Sequence, residues 1–253
     1  MTTLELDLLG AFETHDVRAI RTIVNKSFNV HTPIKGLSIA NSLIEMYARS
    51  DALPACLALL LDRGAVLDDP TLAPVLLNDA AALRHALRAD PTLIAHRTTM
   101  RSTFTPLIGA TLLHVAAEYG YADVARVLIE MGADVNARAS FDAFGLNGHT
   151  PLFHTVNSND NRAAPVMELL LDAGARTDVR LQGLVWGREF EWETTCFDVT
   201  PITFAQLGLL PQVHRRERDV YDTIARLLRA ADRAVPPLPN VPNRYLSQEY
   251  RCP

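Results

Sequence analysis

Apolar residues recur at helical spacing near the middle of the chain, between residues 121 and 132. The residues of this stripe are Val124, Val127, Leu128 and Met131. Their spacing places them on one face of a helix, and most of the polar residues between them fall on the other face. Because a single pair of helices could not bury such a stripe, the pattern predicts that neighbouring helical units stack on it.

A sequence unit surrounds this helix and recurs along the chain. It begins at residue 109 with Gly-Ala-Thr-Leu-Leu-His-Val-Ala-Ala-Glu-Tyr-Gly and closes at residue 136 with Gly-Ala-Asp-Val-Asn. The unit resembles the ankyrin repeat, with Leu112 in the place of the usual proline. The resemblance implies that His114 braces its turn through hydrogen bonds to nearby backbone. Gly132 stands where the second helix must end in a left-handed residue.

Similar units, some of them degenerate, are predicted on both sides of this one. Residues 1–234 are interpreted as a single array, and the Pro-rich residues 235–253 as a C-terminal tail. The strongest units cover 109–137 and 148–178, and degenerate units cover 4–31, 42–68, 69–96 and 199–233. The expected fold class is all-α: an ankyrin-repeat solenoid of about six helix-pair units with inserted β-hairpin fingers. With such insertions the chain resembles a bacterial-type ankyrin repeat protein.

Three long connections, at residues 96–108, 138–147 and 179–198, are predicted to project as hairpin fingers. The third holds both tryptophans of the chain, and its residues alternate in character. The apolar residues stand at even-numbered positions: Leu184, Trp186, Phe190 and Trp192. The acidic residues stand at odd-numbered positions: Glu189, Glu191 and Glu193. A period of two predicts a strand with one apolar and one acidic face.

Two interpretations of the finger aromatics stay open. Trp186, Phe190 and Trp192 either pack onto the array and hold the hairpin down, or remain exposed as anchors for a partner. The same alternatives apply to the aromatic residues of the other fingers, which are Phe104, Phe141 and Phe144.

Composition and charge exclude several classes of function. The 253 residues are 48% hydrophobic and 21% charged, so we expect the chain to fold. Its net charge of −5 does not favour binding to the phosphate backbone of a nucleic acid. No apolar run is long enough to span a bilayer and no secretory signal opens the sequence, so we expect a cytoplasmic protein that binds no membrane. Isolated cysteines and scattered histidines predict no metal site, and the lack of nucleotide-binding motifs predicts no cofactor.

These observations favour a monomeric, non-catalytic scaffold that binds an unidentified protein through its concave face and its fingers. A partner with a basic surface would suit the acidic third finger. The residues expected to contact the partner are Trp186, Phe190, Trp192, Phe141, Phe144, Glu118, Tyr119, Tyr121, Asn157 and Asn159. Among them, Glu118, Tyr119 and Tyr121 are expected to be exposed.

Two alternatives belong to other classes of function. One is a specific inhibitor or immunity-type protein that neutralises a single toxin or enzyme. The other is a hydrolase that uses the carboxylates of the 179–198 connection, since paired carboxylates can divide the roles of acid and base.

Overall fold

The computed structural model describes residues 2–25, 28–209, 213 and 215–234 of the chain. The predicted Pro-rich tail at 235–253 lies outside these residues. The α-helices of the described part are α1 (Thr3–Thr14), α2 (Val17–Asn25), α3 (Ile39–Ile44), α4 (Leu53–Asp62), α5 (Ala73–Leu76), α6 (Ala80–Ala89), α7 (Leu112–Tyr119), α8 (Ala122–Glu130), α9 (Pro151–Thr155), α10 (Ala164–Asp172), α11 (Pro201–Ala205) and α12 (Glu217–Ala230). Short 3₁₀ helices lie at Pro70–Leu72, Pro91–Ala95, Asn159–Asn161 and Gln206–Leu209. Within the described ranges, no helix has the length and apolar character that crossing a membrane requires.

Local signals fix the two ends of α7. The backbone N–H of Thr111 donates to Nδ1 of His114 at 3.1 Å, and Nε2 of His114 donates to the carbonyl of His149 at 3.2 Å. The predicted bracing role of His114 is therefore confirmed. Gly120 ends the helix with a φ of +70°, a left-handed conformation that glycine adopts without steric cost.

The helices pack in two layers around one apolar core. Odd-numbered helices contact one another in the pairs α1–α3, α5–α7, α7–α9 and α9–α11, and even-numbered helices in the pairs α2–α4, α6–α8 and α8–α10. The predicted stripe on α8 faces this core, because Val124, Val127 and Leu128 are buried. The core is continuous from Leu8 in α1 to Leu228 in α12.

Two small antiparallel sheets accompany the helices. Strands β1 (Arg97–Met100) and β2 (Leu107–Thr111) form one, and strands β3 (Leu181–Trp186) and β4 (Thr194–Val199) form the other. About 51% of the described residues are helical and 11% are in strands, so the predicted all-α solenoid of about six helix-pair units is wrong as a description of this fold. Strands form because these connections run out and back, so that the backbone N–H and C=O groups of their two arms pair with each other.

The third connection forms a hairpin, and of the residues predicted to alternate along a strand only Leu184 and Trp186 lie in one, β3. Strand β3 ends at Trp186 and β4 begins at Thr194, so residues 187–193 form the turn between them. The alternation of Phe190 and Trp192 with the glutamates therefore belongs to a turn and not to a strand. Gly187 opens this turn with a φ of +66°.

Asn147 joins the second connection to the third. Its backbone N–H donates to the carbonyl of Gly183 at 2.8 Å, and its Oδ1 accepts from the N–H of Val185 at 3.2 Å. The side chain is buried and the backbone has a φ of +70°, which Asn tolerates better than most residues. The second connection is thus tied to β3, although it contains only the isolated bridge between Phe141 and Asn147.

Candidate functional site

The turns of the two hairpins meet beside the end of α3. The ring of Phe104, in the turn of the first hairpin, stacks on Trp186 at the end of β3, with 6.1 Å between ring centroids. The N–H of Gly187 donates to the carbonyl of Phe104 at 3.0 Å. The hydroxyl of Thr103 donates to the carbonyl of Glu45, the residue that follows α3, at 3.2 Å. These contacts hold both turns in place against the helices.

A cleft of about 290 Å³ opens between these segments, and we call it the aromatic cleft. Its lining residues are Tyr47, Thr103, Phe104, Asn159, Trp186, Trp192, Val213 and Arg215. Tyr47 is 53% exposed and Trp192 is 44% exposed, whereas Trp186 is only 4% exposed. The cleft therefore combines two exposed rings with a third ring that is already packed.

The second hairpin holds Trp192 in a fixed position. Its ring stacks on Phe190 with 4.6 Å between centroids, and the guanidinium of Arg101, in the turn of the first hairpin, lies 4.5 Å from the centroid of the Phe190 ring. A Cβ on Gly187 would lie 2.8 Å from the ring of Trp192, so only glycine allows this approach. The exposed ring of Trp192 is therefore positioned before any partner arrives, which lowers the entropic cost of binding.

A larger cleft of about 550 Å³ lies between α3, the first hairpin and the tip of the second, and we call it the carboxylate cleft. Its acidic lining residues are Glu45, Asp68, Asp69 and Glu189. Oε1 of Glu45 accepts a hydrogen bond from Nδ2 of Asn41 at 3.3 Å, whereas its Oε2 is buried without a partner among the described residues. Burial raises the pKa of the Glu45 carboxyl. Arg97, Arg101 and Arg188 also line this cleft, where Arg101 lies 3.7 Å from a carboxylate oxygen of Glu189. Asp69 pairs with His96 at 2.8 Å, so a positively charged group in this cleft would face Glu45 and Asp68.

Glu118 was expected on the surface, and this prediction is wrong. Its side chain is 4% exposed, and three groups contact its carboxylate. A guanidinium nitrogen of Arg49 lies 3.3 Å from Oε1, the hydroxyl of Ser102 donates to Oε1 at 3.2 Å, and Nδ1 of His154 donates to Oε2 at 2.8 Å. A buried carboxylate is stable only with such partners, and here they come from distant parts of the chain.

Tyr119 and Tyr121 were also expected to be exposed, and they are buried as well. They are 1% and 4% exposed, and their rings stack with 5.8 Å between centroids. The hydroxyl of Tyr119 donates to the carbonyl of Ile44 at 2.6 Å. The guanidinium of Arg49 lies 4.5 Å from the centroid of the Tyr119 ring. Both tyrosines are hidden because α3 and the segment after it cover this end of α7.

The other predicted contact residues lie in different places. Trp186, Trp192 and Asn159 line the aromatic cleft, and Asn159 is exposed. Asn157 is half-buried, and both polar atoms of its amide are buried without a partner among the described residues. The two phenylalanines of the second connection are outside the lining of these clefts, and they are exposed: Phe141 by 55% and Phe144 by 81%.

Three residues of the site were missed by the sequence reasoning: Tyr47, Arg49 and Arg215. Tyr47 and Arg49 follow α3 in an irregular segment, and Arg215 precedes α12. None of them stands in a recognisable motif. The two arginines meet at Phe104, because the guanidinium groups of Arg49 and Arg215 lie 5.7 and 5.5 Å from the centroid of its ring. Tyr47 lines the same cleft as Phe104.

A group of three buried histidines lies behind this site. The ring of His154 is 4.9 Å from His149 and 5.6 Å from His114, measured between centroids. Burial lowers the pKa of His114 and of His149 well below the usual value, with the charge of His154 as a second cause. In the part of the chain that the structure describes, no group of three or more His, Cys, Asp or Glu residues could hold a metal ion.

Sequence comparisons identify the type of repeat around α7 and α8. Residues 108–140 match the family model of the ankyrin repeat. The chain is 32% identical over 105 residues to the ADP-ribosylation factor GTPase-activating protein AGD4 of Arabidopsis thaliana, covering 42% of this chain and 12% of that protein. It is 37% identical over 97 residues to the serine/threonine-protein kinase VIK of the same plant, covering 38% of this chain and 18% of that protein.

The chain therefore spans less than a fifth of the length of either relative. The matches support ankyrin repeats in this chain and suggest a protein-interaction repeat domain. The family model covers residues 108–140, which is a small part of the 253 residues.

Proposed function

We propose that this chain is a non-catalytic interaction domain and that its protein partner docks on the aromatic cleft. The observation that carries the proposal is the pair of exposed rings, Tyr47 and Trp192, which line one cleft together with the buried ring of Trp186. Tryptophan and tyrosine are the residues most enriched at binding hot spots. Trp192 is already stacked on Phe190, so it binds a partner at a low cost in side-chain entropy.

The neighbouring carboxylate cleft extends the same surface. It contains the buried oxygen of Glu45 and the exposed carboxylates of Asp68 and Glu189. We infer that a basic group of the partner faces this end of the surface, as the acidic character of the third connection suggests. We also infer that the two hairpins are insertions relative to a regular ankyrin array.

A hydrolase role for the third connection has little physical support. Glu189, Glu191 and Glu193 all lie exposed in the turn between β3 and β4. Only Glu189 lines a cleft. A catalytic carboxyl pair needs two environments that separate the pKa values of its members. All three side chains are exposed, so none of them has the buried environment that raises the pKa of a general acid.

Selection from a displayed random-peptide library tests the proposal. Peptides selected on the native chain should lose at least tenfold in affinity for a Tyr47→Ala, Trp192→Ala double variant, because truncating an aromatic anchor costs about 2 kcal/mol or more. The matched control is Phe144→Ala, which removes an aromatic ring that is 81% exposed and lies outside the cleft. Peptides that bind the double variant as tightly as the native chain, or that depend on Phe144, would overturn the proposal.

A further inference from the structure

A small pocket continues inward from the aromatic cleft, and we call it the arginine pocket. It shares Phe104, Asn159, Trp186 and Arg215 with the cleft, and among its other lining residues are Arg49, Arg162 and Glu118. Its volume is about 30 Å³. That is roughly two to three times the space that one water molecule needs, so it admits the oxygens of a carboxylate and is too small for a phosphate group.

Unpartnered polar atoms are concentrated around this pocket. Among the described residues, thirteen buried side-chain nitrogen and oxygen atoms have no hydrogen-bond partner, and five of them belong to residues that line it. These five atoms are Nε of Arg49, Nε of Arg162, Nε2 of His154, and Nδ2 and Oδ1 of Asn157. The side chain of His154 is fully buried, and its other ring nitrogen is occupied by Glu118.

Three of these five atoms are donors that lack an acceptor, whereas Oδ1 of Asn157 accepts, and Nε2 of His154 accepts in the neutral tautomer whose Nδ1 donates to Glu118. The Nε atoms of Arg49 and Arg162 and the Nδ2 atom of Asn157 can only donate. Nε of Arg215 donates to the carbonyl of Asn157 at 2.9 Å, and its NH1 donates to the carbonyl of Val213 at 2.8 Å.

Charge is also unevenly balanced in the pocket. Glu118 pairs with Arg49, and Arg162 contacts Asp51 at the surface. Within the part of the chain that the structure describes, no carboxylate forms an ion pair with Arg215, and both of its hydrogen bonds go to backbone carbonyls. A half-buried guanidinium with free N–H groups binds a carboxylate in a bidentate manner when one can reach it.

We propose that the arginine pocket receives the carboxylate of an aspartate or glutamate side chain of the partner that docks on the aromatic cleft. The proposal rests on the proposed function, since the acidic side chain enters the pocket from that cleft. The net charge of −5 favours a basic partner surface, but at this pocket three arginines, Arg49, Arg162 and Arg215, line the walls with one carboxylate, that of Glu118. The partner surface would then carry an acidic residue here and a basic group at the carboxylate cleft.

The test uses peptides selected on the native chain from the random library. We expect the peptides that require Tyr47 and Trp192 to share an Asp or Glu, and its replacement by Asn or Gln to weaken binding by about 10- to 100-fold. An Arg215→Gln variant of the chain should show a similar loss. Arg216→Gln is the matched control, because Arg216 is the adjacent arginine, is 63% exposed and pairs with Asp160 and Asp219 outside the pocket.

Three outcomes separate the two proposals. Two results would overturn the proposal for the arginine pocket alone: peptides that depend on Tyr47 and Trp192 but carry no acidic residue, or peptides that bind Arg215→Gln as tightly as the native chain. The arginine pocket would then hold water. Peptides that ignore Tyr47 and Trp192 would overturn both proposals. If Arg215→Gln fails to fold, the substitution within the peptide still decides, because it leaves the chain unchanged.

Discussion

Removing the carboxylate of Glu118 should destabilise the fold far more than removing a charge at the surface. Glu118→Ala leaves two buried groups without their partner: the guanidinium of Arg49, whose side chain is 7% exposed, and Nδ1 of His154, whose side chain is fully buried. Breaking a buried ion pair by removing one member costs about 3–5 kcal/mol. We therefore expect the free energy of unfolding to fall by that amount.

Chemical denaturation followed by circular dichroism measures this change. The surface pair of Arg84 and Glu130 supplies the control, since its side chains are 34% and 48% exposed. Glu130→Ala should change the free energy of unfolding by no more than about 1 kcal/mol.

A double-mutant cycle separates the ion pair from the rest of the site. Arg49→Met removes the charge and keeps an apolar stem beside the rings of Phe104 and Tyr119. In that background Glu118→Ala should cost about 2 kcal/mol less than in the native chain, because no guanidinium is left unpaired. A loss of less than about 1 kcal/mol for Glu118→Ala, or a coupling near zero, would refute the reasoning and return Glu118 to the surface where the sequence had placed it.

Three further predictions follow from burial and backbone geometry. Burial, with Arg49 and Arg162 nearby, lowers the pKa of His15 to about 4, and burial also lowers the pKa of His114 and His149. Each of these histidines therefore stays neutral in the folded chain at a pH where the same histidine in the unfolded chain is protonated. The contribution of these histidines to the free energy of unfolding should be full above about pH 6.5 and should fall as the pH drops toward 4. Near pH 5 the chain should take up about three protons when it unfolds. Denaturation midpoints that are equal at pH 7 and pH 5 would contradict this. In fluorescence, Trp192→Phe should leave a blue-shifted, quencher-resistant emission from buried Trp186, and Trp186→Phe a red-shifted, accessible one from Trp192; the reverse assignment would be wrong for this structure. Gly109→Ala should lower the free energy of unfolding by more than about 2 kcal/mol, because the new Cβ would lie 2.0 Å from Oγ of Ser140. Gly132→Ala has open space around its Cβ and should lower it by about 1 kcal/mol, from the positive φ alone. Equal losses of stability in thermal unfolding would contradict the clash at Gly109.

Interactions between residues that are close in sequence could be predicted, and this is why the prediction of α7 and α8 was correct. The hydrogen bond between Thr111 and His114 spans three residues, and the apolar stripe of α8 has a fixed helical period. The hairpin at residues 181–199 was also anticipated. Its strand limits were not, because alternation of aromatic and acidic residues continues through a turn whose path is decided by Gly187.

The candidate site depends on partners that are far apart in sequence. Glu118 looked like a surface residue because its burial requires Arg49, which is 69 residues away, and His154, which is 36 residues away. Tyr47 belongs to the aromatic cleft only because the hairpin turns bring Phe104 and Trp192 to the same cleft. No local period or motif signals such a meeting of segments, so sequence reasoning identified Trp186 and Trp192 but missed the residues opposite them.

Site-specific photo-crosslinking tests the central claim most directly. A benzoylphenylalanine placed at Tyr47 would lie in the aromatic cleft, and the same group at Phe144 would lie on an exposed ring outside it. In cells that naturally express the chain, we predict a discrete protein adduct from position 47 and none from position 144. An adduct from position 144 alone, or none from position 47 in a correctly folded chain, would contradict docking on the aromatic cleft.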